Sequence, residues 1–301
     1  MKTKEKIKNI KTTVGIHTLN GTADTLVDLR KADKNPLVTE CNYRKIKNQE
    51  DLETYIRINP NMNNGHVLTE YSTQKKIVDD ILEELETTDF KLNRVDLSFN
   101  SLEPDFYEKY LKVFRLLIAC ISNSSNDKNS TDSKNFWSGK TKSLYTKNQI
   151  REVEFYNRKE KDEKSPYYAR LELRSCRVKS DIKHEFLDLW FKRLDDALKE
   201  FEAVQYRYNL CFAEEYLLDI ARKKRYRRYL SLNSFLMEKS DLIFTRDQMM
   251  KLLIMLGFSE KKARNKVYNF KKNHDIEFFT ISDLEYVVNY IKEEITKYFS
   301  K

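Results

Sequence analysis

The sequence predicts an α+β protein: an antiparallel sheet backed by helices, followed by a helical, winged-helix-like C-terminal region. Two observations carry this expectation. Between Val14 and Cys176, short runs with a two-residue alternation interleave with two stretches of 3.6-residue periodicity. From Ser180 onward the pattern is almost wholly helical. With 301 residues and 40% hydrophobic content, the chain can bury a core for each part. The expected division is residues 1–180, a connector over 181–230 that carries a basic run, and a recognition region over 231–301.

Taken in order, Val14–Leu19, Thr25–Leu29 and His66–Tyr71 read as strands, being β-branched or alternating and separated by Asn, Gly and Asp. Ser72 and Thr73 can cap a helix over 74–87, where Ile77, Val78, Ile81, Leu82 and Leu85 recur at helical spacing. A strand is expected over 93–100. A second helix opens at Pro104, carries Phe106, Tyr110, Leu111, Phe114, Leu117 and Ile118, and ends near Ser122. Residues 122–135 hold no apolar side chain, so they read as a surface loop. Strands return near 141–146, 150–158 and 167–176, the last two joined by the charged turn Lys159–Pro166. Helix is then expected over 181–204 and on to about 229. Thr245 caps a helix holding Met249, Leu252, Leu253 and Leu256; Gly257 stops it, and a basic helix follows over 259–272. Asp275–Thr280 reads as a short strand and Ser282 as the cap of a final helix. Helix, tight turn, basic helix and short strand is the order of a winged helix-turn-helix.

Composition narrows the function. No stretch of about 18 apolar residues occurs, and Met1-Lys-Thr-Lys-Glu-Lys leads into no apolar segment, which predicts a cytoplasmic protein with no membrane span. Cys41, Cys120, Cys176 and Cys211 are far apart, which argues against zinc and disulfide frameworks. His17, His66, His184 and His274 are isolated, so a two-histidine metal motif is absent. Neither a phosphate-binding GxxxxGK[ST] nor a GxGxxG occurs, and GKT at Gly139 lacks its upstream glycine.

Three strands carry charge on one face. Alternation puts Arg94, Asp96 and Ser98 together, opposite Val95, Leu97 and Phe99; it does the same for Arg170, Glu172 and Arg174, and for Glu152, Glu154, Tyr156 and Arg158. One explanation is a solvated face of cross-strand ion pairs, each contributing about 0.2–1 kcal/mol. The other is chemistry: carboxylates on oxygen-only sites suit Mg2+ or Mn2+, and a tyrosine beside such an ion suits attack on a phosphodiester. A phenol with a pKa near 10 is about one part in a thousand ionised at pH 7, so it needs an adjacent cation.

Arg94-Val-Asp-Leu-Ser-Phe-Asn100, Ser138-Gly-Lys-Thr-Lys-Ser143, Val153-Glu-Phe-Tyr-Asn-Arg-Lys-Glu160 and Ala169-Arg-Leu-Glu-Leu-Arg174 together resemble the replication initiation factor family. These are the trans-acting Rep proteins of Gram-positive rolling-circle plasmids and conjugative elements, cousins of the gene II type phage initiators. The resemblance covers about residues 90–180. It implies a Rep nickase-like catalytic domain over 1–180 that nicks one origin strand through a phosphotyrosyl link, uses Mg2+ or Mn2+, engages double- and single-stranded DNA, recruits a host helicase and acts as a homodimer. On this resemblance Asp96 and Glu172 match the acidic metal-site positions and Tyr156 lies in the family's aromatic strand; from the shared charged face Glu154 is expected as a further metal residue, Tyr156 as the nucleophile, and Arg94 and Arg170 as its cationic neighbours. Tyr145, Tyr206 and Tyr208 stay open as alternative nucleophiles. Asn100 stands where the family carries Asp.

The DNA-contacting residues are expected in two basic segments. Arg222, Lys223, Lys224, Arg225, Arg227 and Arg228 make six cations in seven residues, a density that persists where a polyanion neutralises it. Lys261, Lys262, Arg264 and Lys266, with Asn265 and Asn269 able to read adenine edges, occupy the recognition-helix position. A basic surface helix without a partner is the plain alternative. Two function classes follow: a metal-dependent origin nickase, or a non-enzymatic winged-helix initiator or repressor that uses the same C-terminal helices and leaves the acidic strands as structure.

Overall fold

The computed structural model describes residues 10–46, 51–62, 69–124, 143–274 and 276–301. Seven runs form strands: β1 (Thr13–Ala23), β2 (Val38–Lys45), β3 (Leu52–Ile58), β4 (Lys91–Ser101), β5 (Ser143–Lys147), β6 (Arg151–Asn157) and β7 (Ala169–Ser175). They join one sheet in the order β2-β3-β1-β4-β7-β6-β5, every pair antiparallel. The helices are α1 (Leu29–Lys34), α2 (Tyr71–Glu84), α3 (Phe106–Ser124), α4 (Arg158–Lys161), α5 (Ile182–His184), α6 (Phe191–Lys199), α7 (Phe201–Ala221), α8 (Leu232–Lys239), α9 (Arg246–Met255), α10 (Glu260–His274) and α11 (Ile281–Phe299). A π-helical segment, Glu185–Trp190, lies between α5 and α6. The α+β expectation holds.

The chain packs as two compact units. Among the described residues, a sheet unit takes those within 10–107, 143–193 and 289–301, and a helical unit those within 108–124 and 194–288. This division falls elsewhere than the expected cuts at 180 and 230, because residues distant in sequence share one core.

In the sheet unit, Val95, Leu97 and Phe99 of β4 sit in register with Ser175, Leu173 and Leu171 of β7, and Leu173 and Leu171 in turn with Val153 and Phe155 of β6. Their side chains are buried, and Tyr107 stacks on Phe155 at 5.2 Å. Gln74 of α2 donates to the Ile16 carbonyl and accepts from the Ile16 amide, where a bulge interrupts the β1–β4 pairing. Glu185 is buried yet satisfied: it accepts from Ser175 Oγ at 2.7 Å and Arg151 at 3.0 Å, while Trp190 donates to the same Ser175. Gly21 permits the closest approach of β1 and β4, since a Cβ there would lie 2.2 Å from the Lys91 carbonyl oxygen.

In the helical unit, Phe212, Phe235, Leu252, Leu253, Ala263, Val267 and Phe270 form the core of α7 to α10. Thr245 caps α9 by accepting from the Gln248 amide, and Gly257 ends the segment at φ 88°. Both follow the sequence reading.

Several elements differ from expectation. Thr25–Leu29 is not a strand: Asp28 accepts from the Arg30 amide and starts α1, so the cap outweighs the β-branched run. The expected strand His66–Tyr71 and the motif Ser138–Ser143 lie largely outside the described residues, as does most of the 122–135 loop; Tyr71 begins α2 and 122–124 end α3. Lys159–Lys161 form a helical turn capped by Asn157 rather than an open turn. The long helix expected to 229 breaks at Glu200 and stops at Ala221. Residues 276–280 carry no strand, so the wing is missing among the described residues. No described helix is long and apolar enough to cross a membrane.

Candidate functional site

The three charged strands are neighbours, with β7 in the middle, and their register stacks the polar side chains in rungs. Asp96 faces Arg174, which faces Glu152. Ser98 faces Glu172, which faces Glu154, which faces Tyr145 of β5. Asn100 faces Arg170, which faces Tyr156, which faces Ser143. Rung residues stand two positions apart along each strand, so successive rungs lie about 7 Å apart on one face.

Glu172 is the centre of this face and is wholly buried. Tyr156 donates to its Oε1 at 2.9 Å, Arg170 donates to the same oxygen at 3.2 Å, and Arg174 holds Oε2 through Nε at 2.9 Å and also through Nη2. His17 Nε2 stands 3.9 Å from Oε1. Arg174 also reaches Glu152 at 3.3 Å and Glu154 at 2.5 Å. Lys161 of α4 bonds the other oxygen of Glu154 at 2.5 Å and lies 3.5 Å from the centroid of the Tyr156 ring. Arg170 Nε donates to Asn100 Oδ1 at 2.5 Å, so the amide at position 100 orients the guanidinium.

Arg94 and Asp96 form a separate pair, closed through two bonds of 2.7 and 3.0 Å. Arg94 stands six strand residues, about 20 Å of backbone, from Asn100 on the Tyr156 rung, beyond the reach of its side chain. The structure therefore groups Arg170, Glu172, Glu154 and Tyr156 and leaves Arg94 with Asp96 at the far end.

The ionisation of the face follows from this packing. Burial raises the cost of charging Glu172, but Arg174, His17 and Arg170 outweigh it and hold its carboxyl well below the usual carboxylate range. Tyr156 moves the opposite way: burial and the adjacent Glu172 charge both favour the neutral phenol and raise its pKa, which Arg170 only partly offsets. Asp96 is raised by burial against the pull of Arg94. Tyr156 thus donates its hydroxyl hydrogen bond to a carboxylate, and this contact favours the neutral phenol.

Tyr145 stands differently. It is half-buried and lines a cavity of about 260 Å3 with Ser143, Lys147, Glu152, Glu154 and Arg174. Tyr206 and Tyr208 belong to the helical unit: Tyr206 is exposed, while Tyr208 packs on Phe212 and Phe244 and its pKa is pushed up to about 12 by burial.

The fit of Mg2+ or Mn2+ can be judged on the donor set. Asp96, Glu152, Glu154 and Glu172 are matched by Arg94, Arg170, Arg174 and Lys161. Every carboxylate oxygen of Asp96, Glu154 and Glu172 already has a cationic donor, and among the described residues no three His, Cys, Asp or Glu groups converge on one point. In this arrangement the residues do not fit a divalent ion without displacing an arginine or lysine.

The helical unit presents the opposite electrostatics. Helix α10 buries Ala263, Val267 and Phe270. Its other side exposes Lys261, Lys262, Asn265, Tyr268, Asn269, Lys271 and Lys272, of which Lys261, Asn265, Tyr268 and Lys272 share one stripe at helical spacing. Among the described residues those lysines have no acidic partner, whereas Arg264 pairs with Glu260 at 2.7 Å and Lys266 lies 4.9 Å from the Phe258 ring centroid.

The run at 222–228 is neither one helix nor one uniform patch. Beyond α7 it is extended, with a 3-10 turn at Lys224–Tyr226. Buried Asp219 accepts from the amides of Arg228 and Tyr229 at 2.8 and 3.0 Å, and Arg227 donates to the Ile220 carbonyl at 2.8 Å, which covers the end of α7. Arg228 pairs with Glu238 and Glu215, and Arg222 stands 3.9 Å from Asp219. Lys223, Lys224 and Arg225 remain exposed, with Arg225 over the Tyr226 ring at 4.7 Å.

Sequence reasoning nominated neither Arg174, Lys161, His17 nor Tyr268. The alternation of β7 already put Arg174 on the charged face; Lys161 and His17 had no signal, since a cap and a bulge aim them. In comparisons with known proteins, no family model matches the chain and no curated protein is similar to it.

Proposed function

We propose that this chain is a DNA-binding replication initiator of a plasmid, phage or integrative element, acting in the cytoplasm. It reads duplex DNA with α10 and holds the backbone with Lys223, Lys224 and Arg225. The observation that carries this reading is the exposed stripe of Lys261, Asn265, Tyr268 and Lys272 behind the Gly257 turn, with Lys262 and Lys271 at its flanks. Lysines without acidic partners suit phosphates, asparagines suit adenine edges, and an exposed tyrosine supplies a planar apolar contact. Two helices, α9 and α10, joined by a short turn at Gly257 support a helix-turn-helix reading.

The test is selection of the full chain on a random duplex library. Enrichment of one site, lost on Lys261→Ala/Asn265→Ala, supports the reading; equal retention of all sequences by wild type and variant overturns it.

Strand nicking is the second reading, favoured by one observation: Glu154, Glu172, Tyr156 and Tyr145 occupy adjacent positions on β5, β6 and β7. On that reading Mg2+ or Mn2+ would enter by displacing Lys161 or Arg174, a single-stranded product would follow, and a host helicase would extend it. Incubating a supercoiled plasmid carrying the selected site with either metal tests it. Relaxed plasmid bearing covalent protein, abolished by Tyr145→Phe or Tyr156→Phe, supports nicking. Intact supercoils with specific binding retained leave the chain a non-enzymatic initiator or repressor.

A further inference from the structure

Helix α7 is apolar on both sides. One side, with Val204 and Phe212, is buried in the helical unit; the other exposes Tyr206 at 56%, Leu210 at 48%, Leu217 at 45% and Leu218 at 59%. At 100° per residue these four, with Ala203, Cys211 and Ala221, fall on one stripe. A contiguous apolar stripe on a helix is the mark of an interaction face.

Only two charges interrupt it, Arg207 and Glu214, and both are exposed. Neither makes an ion pair with another described residue. They are seven residues apart on the same side of the helix, symmetric about the Leu210–Cys211 midpoint. That symmetry selects the occupant. Against a second α7 running antiparallel and centred on this midpoint, Arg207 of each copy meets Glu214 of the other and Leu218 meets Ala203. A parallel pairing would set arginine against arginine and glutamate against glutamate.

We propose that a second copy of this chain docks antiparallel on α7, making a two-fold interface of apolar side chains with reciprocal Arg207–Glu214 pairs and Cys211 beside the axis. The interface is isologous, the form that closes at a dimer. It requires nothing of the DNA reading and is measured without DNA.

Sedimentation of the full chain across micromolar concentrations should give a dimer. Arg207→Glu alone and Glu214→Arg alone should each weaken association at least ten-fold, while Arg207→Glu/Glu214→Arg restores it, because reversing both charges recreates the pairing. Helices packed 8–10 Å apart bring the two Cys211 residues within reach of a short bismaleimide. Wild type should cross-link to twice its mass and Cys211→Ser should not. A wild type that stays monomeric, a double variant as weak as the singles, or cross-linking unaffected by Cys211→Ser would overturn the proposal.

Discussion

The sheet and the helical unit both hold dense clusters of arginine and lysine, and the clusters have opposite meanings. On the sheet, Arg94, Arg170, Arg174 and Lys161 each bond a carboxylate of the same face, so the charges end where they begin. On α10, Lys261, Lys262, Lys271 and Lys272 are exposed and have no acidic partner among the described residues. Burial separates the two cases. A guanidinium removed from water must find its counter-charge within the protein, whereas an exposed lysine keeps its hydration and stays available to phosphate. Counting charge would rank the two alike; accounting for partners separates a closed network from an exposed one.

The largest effect should come from opening the sheet network. Arg174→Met leaves Glu172 and Glu154 short of their shared cation, and removing one member of a buried pair costs about 3–5 kcal/mol. Urea unfolding followed by circular dichroism measures it. A loss under about 1 kcal/mol would mean that the face is better solvated than its burial implies.

Acid titration sharpens the same point. Glu172 is ionised in the folded protein well below its ordinary value of 4.5, so it binds protons more tightly when unfolded. Its contribution is complete above that ordinary value and is lost as pH falls toward the depressed folded one. The stability difference between wild type and Glu172→Gln should therefore be largest near pH 7 and shrink below about pH 4.5. Asp96 is shifted the other way mainly by burial, which is common to both proteins, so only the smaller part of its shift that comes from the Glu172 charge differs between them. A difference that grows on acidification would reverse the assignment.

On α10 the prediction is of affinity without stability. Replacing Lys261, Lys262 and Lys272 by alanine should lower the slope of log affinity against log salt by roughly 2.7, at about 0.9 per lost phosphate contact. Unfolding should change by no more than about 0.5 kcal/mol, since these side chains are exposed. If stability collapsed as well, the helix would be part of a closed network like the sheet.

How much of this contrast was legible beforehand depended on the range of the signal. Local signals carried through: the alternation of β4, β6 and β7, the Thr245 cap and the Gly257 stop are set by neighbouring residues. Strands β2 and β3 escaped, although Leu52-Glu-Thr-Tyr-Ile-Arg-Ile58 carries a partial alternation, because β2 mixes Glu, Cys, Asn, Tyr and Arg without a clear apolar face. Tyr156 read as a nucleophile because alternation places it beside carboxylates and arginines; that its hydroxyl donates to Glu172, with Arg170 opposite it and Lys161 over its ring, needs the three-dimensional packing. The basic run looked uniform for the same reason. Its division into Arg222, Arg227 and Arg228, engaged with their own unit, and Lys223, Lys224 and Arg225, facing outward, needs the position of Asp219 and the end of α7.

The smallest effect concerns the turn that presents α10. Gly257 adopts φ 88°, where an L side chain costs about 1–2 kcal/mol, but a Cβ built there meets nothing within 4 Å. Alanine also reduces the freedom of the unfolded chain, which offsets about 0.4–1 kcal/mol. Gly257→Ala should therefore destabilise by roughly 1 kcal/mol while leaving DNA affinity close to wild type, because no neighbour is pushed and α10 keeps its place on the core. Titration of the selected duplex with this variant distinguishes two origins of recognition. Affinity retained means that the lysine and asparagine stripe itself makes the contact, whereas affinity lost alongside an intact fold means that the angle set by the turn governs it.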